Sequence, residues 1–463
     1  MIQVEGQLVP ADFTGPLKEF WRLSASKIRL IQRAYDSRLG SPVFTVRGQY
    51  TSRGWTEWTQ GFEIGSAILQ FDATDDVSFL KQARADTRRK MTPHLTHFGV
   101  HDHGFNNVST YGALLRLSHE KRHTAEPWEA DFYRLALKGS AAVQARRWTA
   151  LPSGGFIHSF NGPHSLFADT IRSLRSLAIG HLLGHVALGE NDQPFSLLGR
   201  LLQHAQTTAL FAVYYGAGRD AYDVRGRVAH ESIFNTHDGS YRCPNSQQGY
   251  SPFSTWTRGL AWILCGFAEQ LEFLASLPDK DLPTHGGRRR IEACMRKAAT
   301  AAADFYIRNS PTDGIPYWDT SAPELHKLGD YLNKPAEPWN EFEPVDSSAA
   351  AIAAQGLLRL GSYEKARGKH GSGKRYFQAG LRVLRRLLSD DYLSRDPKHQ
   401  GLLLHSVYHR PRGWDYVPPG KKVPCGESSM WGDYHVRELA LYVQRLALGG
   451  PYYNFFNIGK DGS

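Results

Sequence analysis

Three stretches of this chain carry side chains whose types and spacing could do chemistry. The first, His94-Leu95-Thr96-His97-Phe98-Gly99-Val100-His101-Asp102-His103-Gly104-Phe105, sets four histidines and an aspartate within ten residues. Such groups could ligate a divalent metal, but their spacing matches no metalloenzyme motif and no distant ligand completes a set, so no metal is expected. Asp102 also has a plain structural reading, as the cap of a helix beginning near Asn106. In the second stretch, Phe167-Ala168-Asp169-Thr170-Ile171-Arg172, Asp169 opens an apolar helix where a carboxylate often serves as a cap. The polar-aromatic, Gly-bounded approach Phe156–Pro163 looks instead like a cleft wall, and Arg172 and Arg175 follow within a turn or so, near any bound anion. The third stretch runs from Gln247 to Trp262. Arg258 and Trp262 lie four apart on one helical face, offering a fork for a carboxylate and a ring for stacking. An Arg paired with a core carboxylate under a packed Trp is the competing reading.

These groups must be held by helices. Apolar residues recur at three- and four-residue intervals near 16–38, 58–71, 77–93, 107–121, 127–147, 166–188, 193–215, 254–277, 288–309, 346–363, 372–389 and 427–447. Turn chemistry separates them, as at 72–76, 152–155, 218–220, 278–287, 311–314 and 365–374. No run of β-branched alternation is long enough to seed a sheet. Twelve helices joined by short and long connections in turn predict six hairpins closed into an all-α (α/α)6 toroid, with no fixed-length repeat to favour a solenoid. The expectation is a single catalytic domain over 1–463 with a short arm before about residue 15. The long aromatic connections 91–106, 151–169, 236–262 and 405–431 are where function should sit.

Composition narrows the classes. The chain has 463 residues, 41% hydrophobic and 22% charged, with only 4 Cys and none at zinc-ligand or redox spacing. A disulfide scaffold is excluded, and a reducing compartment is expected. No apolar run approaches a membrane span and the start lacks a signal-peptide pattern, so the expected location is cytoplasmic. The formal charge of +10 admits nucleic acid, a membrane surface or an anionic small substrate as partner. The basic residues read as spread along the chain, with Arg288-Arg289-Arg290 as the dense run, and no nucleic-acid motif occurs. Neither a phosphate loop, a dinucleotide fingerprint nor a nucleophile elbow is present, so no cofactor is expected. Aromatic residues make up 12% of the chain, including 11 Trp and 21 Tyr, a supply from which sugar-binding clefts are built.

From about residue 55 to 447 the chain resembles the unsaturated glucuronyl hydrolases of glycoside hydrolase family 88. Trp58-Thr59-Gln60-Gly61-Phe62, His101-Asp102-His103-Gly104-Phe105, Phe167-Ala168-Asp169 and His204-Ala205-Gln206-Thr207-Thr208 follow the family's order. The most specific match is Gln248-Gly249-Tyr250-Ser251 through Ser254-Thr255-Trp256-Thr257-Arg258-Gly259-Leu260-Ala261-Trp262, with Pro316–Asp319, Asp346–Ala354 and Trp431–Tyr434 further on. The resemblance implies a lyase-generated acidic oligosaccharide as substrate, with a 4,5-unsaturated uronic acid at its nonreducing end. It implies Asp169 as general acid and base, Asp102 as its neighbouring carboxylate, and Trp58, His101, His204, Gln248, Trp256, Arg258 and Trp262 as substrate-binding residues. Pro252-Phe253, Glu63, Asn106-Asn107 and the Thr170–Ser173 segment depart from the family pattern, which bears on the sugar accepted. Three other readings stay open: a hydrolase of unsaturated rhamnogalacturonides, an inverting glycosidase using Asp102 and Asp169, and a noncatalytic carbohydrate-binding protein.

Overall fold

The computed structural model describes residues 1–4, 6–54, 57–124, 126–282 and 286–458; residues 283–285 of the expected 278–287 break lie outside them. Its helices are α1 Thr14–Ala34, α2 Gln60–Thr74, α3 Val77–Lys90, α4 Thr92–Leu95, α5 His103–Asn107, α6 Ala113–His119 and α7 Pro127–Arg146. There follow α8 Thr170–Ser173, α9 Arg175–Leu182, α10 Leu197–Phe211, α11 Thr257–Ser276, α12 Gly287–Arg308, α13 Ser347–Ala366, α14 His370–Leu387 and α15 Met430–Leu448. A π-helical turn at Val108–Gly112 joins α5 to α6. Each of the twelve periodic stretches carries a helix, and the first periodic residues are within a few positions of the observed starts.

Packing arranges these helices as an (α/α)6 toroid. The inner ring runs α2, then α5 with α6, then α8 with α9, then α11, α13 and α15, and it closes where α15 packs back on α2. Outside it stand α1, α3, α7, α10, α12 and α14. The inner helices bury residues on nearly every side: α13 carries an unbroken run of fifteen buried residues from Ser347 to Gly361, as a helix surrounded by neighbours must. The outer helix α14 is amphipathic, burying Tyr376, Ala379, Val383, Leu384 and Leu387 while turning its basic residues outward.

The order of the hairpins fixes where function can sit. Every connection from an outer to an inner helix is long: 35–59, 91–102, 147–169, 212–256, 309–346 and 388–429. The returns are generally shorter, two residues at 75–76 in the tightest case and fourteen at 183–196 in the longest. All long connections therefore gather at the end where the inner helices begin. Here the structure corrects one sequence expectation. Ser165–Phe167, Glu231–Phe234 and Tyr241–Asn245 form a three-stranded antiparallel sheet, and three two-stranded hairpins accompany it. Their strands span two to five residues, too short for alternation to register, and are held by the loops they join.

Candidate active site

The N-termini of four inner helices, α2, α5, α8 and α11, converge on a narrow pocket lined by Trp58, His101, Asp102, Phe160, Phe167, Asp169, Gln247, Gln248, Trp256, Arg258, Trp262, Tyr408, His409 and Trp414, among others. Aimed N-termini present unpaired N–H groups and positive dipole ends, a field that favours an anion. A roomier groove of about 540 Å³ lies between α1, α2 and α15, around Trp21 and Phe79, but no convergent acid and base face it. The chemistry is in the smaller pocket.

Its centre is a histidine between two carboxylates. His101 Nε2 lies 3.3 Å from Asp169 Oδ1 and 3.8 Å from Asp102 Oδ1. Asp102 and Asp169 occupy the N-cap positions of α5 and α8, yet neither side chain caps its helix. Both carboxylates are thereby left to the pocket, and the capping reading does not describe either one. Burial pushes the Asp102 carboxyl above its ordinary value. Burial opposes the charged form of Asp169 too, but the charge and hydrogen bond of His101 outweigh it and hold Asp169 low. For His101 the same balance runs the other way: burial disfavours the cation, while Asp102 and Asp169 more than compensate and raise it. The two carboxylates thus favour the protonated form of His101, Asp169 being held as the anion and Asp102 pushed towards its acid form.

Small residues bring these helix starts together. A Cβ on Gly104 would fall 2.0 Å from the Ser173 carbonyl oxygen, so only glycine allows α5 to touch α8. Ser173 then receives the Gly104 N–H at 2.9 Å and donates to the His101 carbonyl at 2.6 Å. The other histidines of the first stretch are spent on structure. His94 Nδ1 meets the Asn106 amide, and His103 bridges Ser140 and the His97 carbonyl. Among the described residues no three His, Cys, Asp or Glu side chains converge as a metal site requires.

Arg258 follows the structural alternative. Its guanidinium meets Asp346 at 2.9 Å, donates to Gln248 Oε1 and the Tyr408 carbonyl at 2.8 Å each, and also bonds the Val407 carbonyl. It lies under the rings of Trp256 and Trp431. With the fork already used and its charge matched by Asp346, Arg258 does not offer a free fork to a substrate carboxylate. What it does is fix the Gln248 amide: the oxygen faces Arg258, so the NH₂ donors face the pocket.

A further correction concerns Arg172 and Arg175. Both are fully buried and point away from the pocket, Arg172 to Glu269 at 2.6 Å and Glu438 at 2.9 Å, and Arg175 to Glu438 at 3.5 Å. Asp169 is the N-cap, outside the helical turns that carry Arg172 and Arg175, so an arginine close to it in sequence serves the core instead of an anion. The expected aromatic residues separate in a similar way. Trp58 is half-buried and stacks on Trp431 at 5.0 Å, keeping an edge on the pocket. Trp256 and Trp262 also line it but are 3% and 2% exposed, forming its floor instead of an open platform. His204 stands behind the pocket: its Nδ1 accepts the Ile157 N–H at 3.0 Å and it is absent from the lining.

His230 was not anticipated. Its Nδ1 accepts the N–H groups of Gln247 and Gln248 at 3.1 and 3.3 Å, so its proton sits on Nε2. Its ring packs between Phe167 and Trp256, each 4.6 Å away, and burial pushes its pKa down to about 3, favouring the neutral imidazole. The Ala168 N–H bonds the His230 carbonyl, so the short sheet is what delivers it. A strand that short leaves no periodic signal. His409 and Trp414, from the 405–431 connection, complete the rim, with Asp415 accepting the Tyr408 and His409 N–H groups beneath them.

Comparison with known proteins agrees with this geometry. No family model matches the chain. A curated unsaturated glucuronyl hydrolase from Bacillus sp. (strain GL1) is 26% identical over 410 residues, 87% of this chain and 90% of the relative. Another, from Formosa agariphila, is 24% identical over 394 residues, 85% of this chain and 81% of the relative. The crystal structure of an unsaturated glucuronyl hydrolase specific for heparin shares the fold with a TM-score of 0.70, at 21% identity, over 93% of this chain and 97% of that one. Over most of its length the chain is similar to unsaturated glucuronyl hydrolases. Its two candidate carboxylates, Asp102 and Asp169, stand at the starts of adjacent inner helices, where the toroid opens.

Proposed function

We propose that the pocket hydrates the C4=C5 vinyl ether of a 4,5-unsaturated uronic acid at the nonreducing end of an acidic oligosaccharide, releasing the adjoining sugar. The observation that carries this reading is the Asp102–His101–Asp169 cluster in an aromatic pocket lined by the starts of four inner helices, α2, α5, α8 and α11. The positive helix ends suit the uronate carboxylate, which needs no free arginine. Bound substrate adds a negative charge and displaces water beside Asp169, and both raise its affinity for a proton. His101, whose proton affinity is raised by the two carboxylates and whose Nε2 lies 3.3 Å from Asp169, is placed to supply that proton.

Asp169 then gives its proton to C4 and charge develops at C5 and O5. Water adds to C5 while the Asp169 carboxylate takes a proton from it, so the acid is regenerated. The hemiketal opens by breaking C5–O5, leaving a ketone at C5, and the freed hemiacetal at C1 expels the sugar. Gln248 presents two donors to the substrate, His230 presents its Nε2 proton towards Asp169, and Trp58 packs against the sugar ring. Arg258 acts through Gln248 as a positioning residue.

Among the described residues no helix is long and apolar enough to cross a membrane. All four cysteines are free, which supports a reducing compartment and hence a cytoplasmic location. The inner ring draws on helices from Gln60 to Leu448, which supports one catalytic domain.

The test uses lyase-generated disaccharides, followed by loss of the ultraviolet band of the conjugated enoate. In short quenched reactions in labelled water, the new oxygen is expected at C5 and solvent deuterium at C4. Label at C1 with no deuterium at C4 would replace this reading with an inverting glycosidase.

A further inference from the structure

The net charge of this chain is not spread evenly. Residues 287–308 and 364–388 hold fourteen of its 55 Lys and Arg but only three of its 45 Asp and Glu, namely Glu292, Asp304 and Glu364. The rest of the chain is close to neutral, with 41 basic against 42 acidic residues. This corrects the even spread read from the sequence. The two segments are α12 and the α13–α14 turn with α14, and the fold sets them side by side on the outer wall. Asp304 of α12 joins Arg375 and Tyr376 of α14 at 3.0 Å each, and Arg296 pairs with Glu364.

The three acids are therefore consumed inside the patch, and Arg289, Arg290, Lys369, Lys374, Arg382 and Arg385 have no carboxylate partner among the described residues. On α14, Lys374, Gln378, Arg382 and Arg385 form one stripe at helical spacing. The helix is 18 residues long, about 27 Å. Leu8 of the N-terminal arm crosses the stripe at Gln378 through a pair of backbone-to-amide bonds. Grooves of about 590 and 460 Å³ flank the arm, and both are lined by Lys374 and Gln378. Burial, and then the nearby Lys374 charge, hold Lys365 below its ordinary value, a repulsion that a bound anion would relieve.

We propose that this outer wall is a second binding site, an exosite that holds a polyanionic glycan chain while the pocket works on glycan ends. The glycan identity rests on the function proposed above. Charge complementarity calls for a polyanion, and the face narrows the choice. Among the described residues no exposed large apolar residue lies in 287–308 or 364–388, and of such residues only Met1 and Val9 of the arm border its grooves. The face therefore has no ring platform of the kind that grips single-stranded nucleic acid and no cluster of apolar residues to anchor it in a membrane interface. The patch lies on the outer helices, clear of the pocket lining, so chain binding and turnover are separable.

The test measures binding of size-fractionated chondroitin sulfate and heparin to the full chain at low salt, alongside turnover of an unsaturated disaccharide. Charge reversal by Lys374→Glu, Arg382→Glu and Arg385→Glu is expected to weaken chain binding at least tenfold and leave disaccharide kcat/KM within twofold. The neutral set Lys374→Gln, Arg382→Gln and Arg385→Gln, with an unchanged Tm, should fall between, and added salt should erase the difference. Chain binding that is absent in the wild type, or unmoved by reversal, overturns the exosite, as does tighter binding of duplex DNA or of anionic vesicles than of either glycan. If the stripe grips the chains but no unsaturated disaccharide is turned over, the proposed activity fails and the glycan site stands.

Discussion

At the pocket two carboxylates share one imidazole; a helical turn deeper, Arg172 and Arg175 meet Glu269 and Glu438, with Gln355 and the Tyr453 hydroxyl also bonded to Glu438. Both clusters are buried and both disturb proton affinities. In the deep one, burial disfavours the Glu438 anion but Arg172 and Arg175 overwhelm it, holding the carboxyl well below the usual range. Every charge there has its opposite, so the site is locked. At the pocket the count is uneven, two potential anions to one cation, and Asp102 is pushed up while Asp169 is held down. Charge arranged to cancel stiffens a fold, whereas charge left in excess can move a proton.

The largest expected effect comes from Asp169→Asn, which should keep the fold and reduce turnover by about 10²–10⁴-fold. Disaccharide kinetics with circular dichroism check it, and a near wild-type rate would end the catalytic assignment. Glu438→Gln should do the reverse. Leaving two arginines short of their partner should cost about 3–5 kcal/mol of stability, read by denaturant melts, with activity per folded molecule little changed. Because the folded carboxyl is depressed, Glu438 contributes stability above the usual carboxylate range and loses it as pH falls through that range. The variant should therefore show a flatter acid limb of stability.

Arg258→Ala should lower kcat/KM by about 2–3 kcal/mol, equally on the uronate and on its methyl ester, since its charge is already met by Asp346. Combined with Gln248→Ala the losses should not add; a loss confined to the charged substrate would show that Arg258 touches it. A smaller change is expected from Asp102→Asn in the pH profile. Removing that negative charge lowers the proton affinity of His101, so the alkaline limb of kcat/KM should move to lower pH. An unmoved limb would detach His101 from the reaction. Exhaustive chelation should change nothing, since His94 and His103 are bonded to protein groups and no metal-ligand cluster is present among the described residues; rescue by one divalent ion after loss would reverse that assignment.

The helices were legible because an inner or outer helix repeats its apolar contacts over ten to twenty residues. The site was legible where residue type and local motif coincide: His101, Asp102, Asp169 and Gln248 all line the pocket. Elsewhere sequence proximity misled. Arg172 sits three residues from Asp169 but faces Glu269, and Arg258 shares a face with Trp262 but is claimed by Asp346, 88 residues on. His230 was invisible for the opposite reason, since a four-residue strand, Glu231–Phe234, carries it to Asp169 without any pattern of its own. Long-range pairing decides such cases, and a single sequence does not print it.

The ring closes where α15 packs on α2, joining the last long helix to one that starts at Gln60. During synthesis α2 therefore spends most of translation with a bare flank, because its neighbour emerges nearly four hundred residues later. At about 5–20 residues per second, that is a wait on the order of tens of seconds. Half-made chains present an apolar seam that nothing within them can cover, so yield in the cell should depend on chaperone supply and elongation rate more than on the stability of the finished protein.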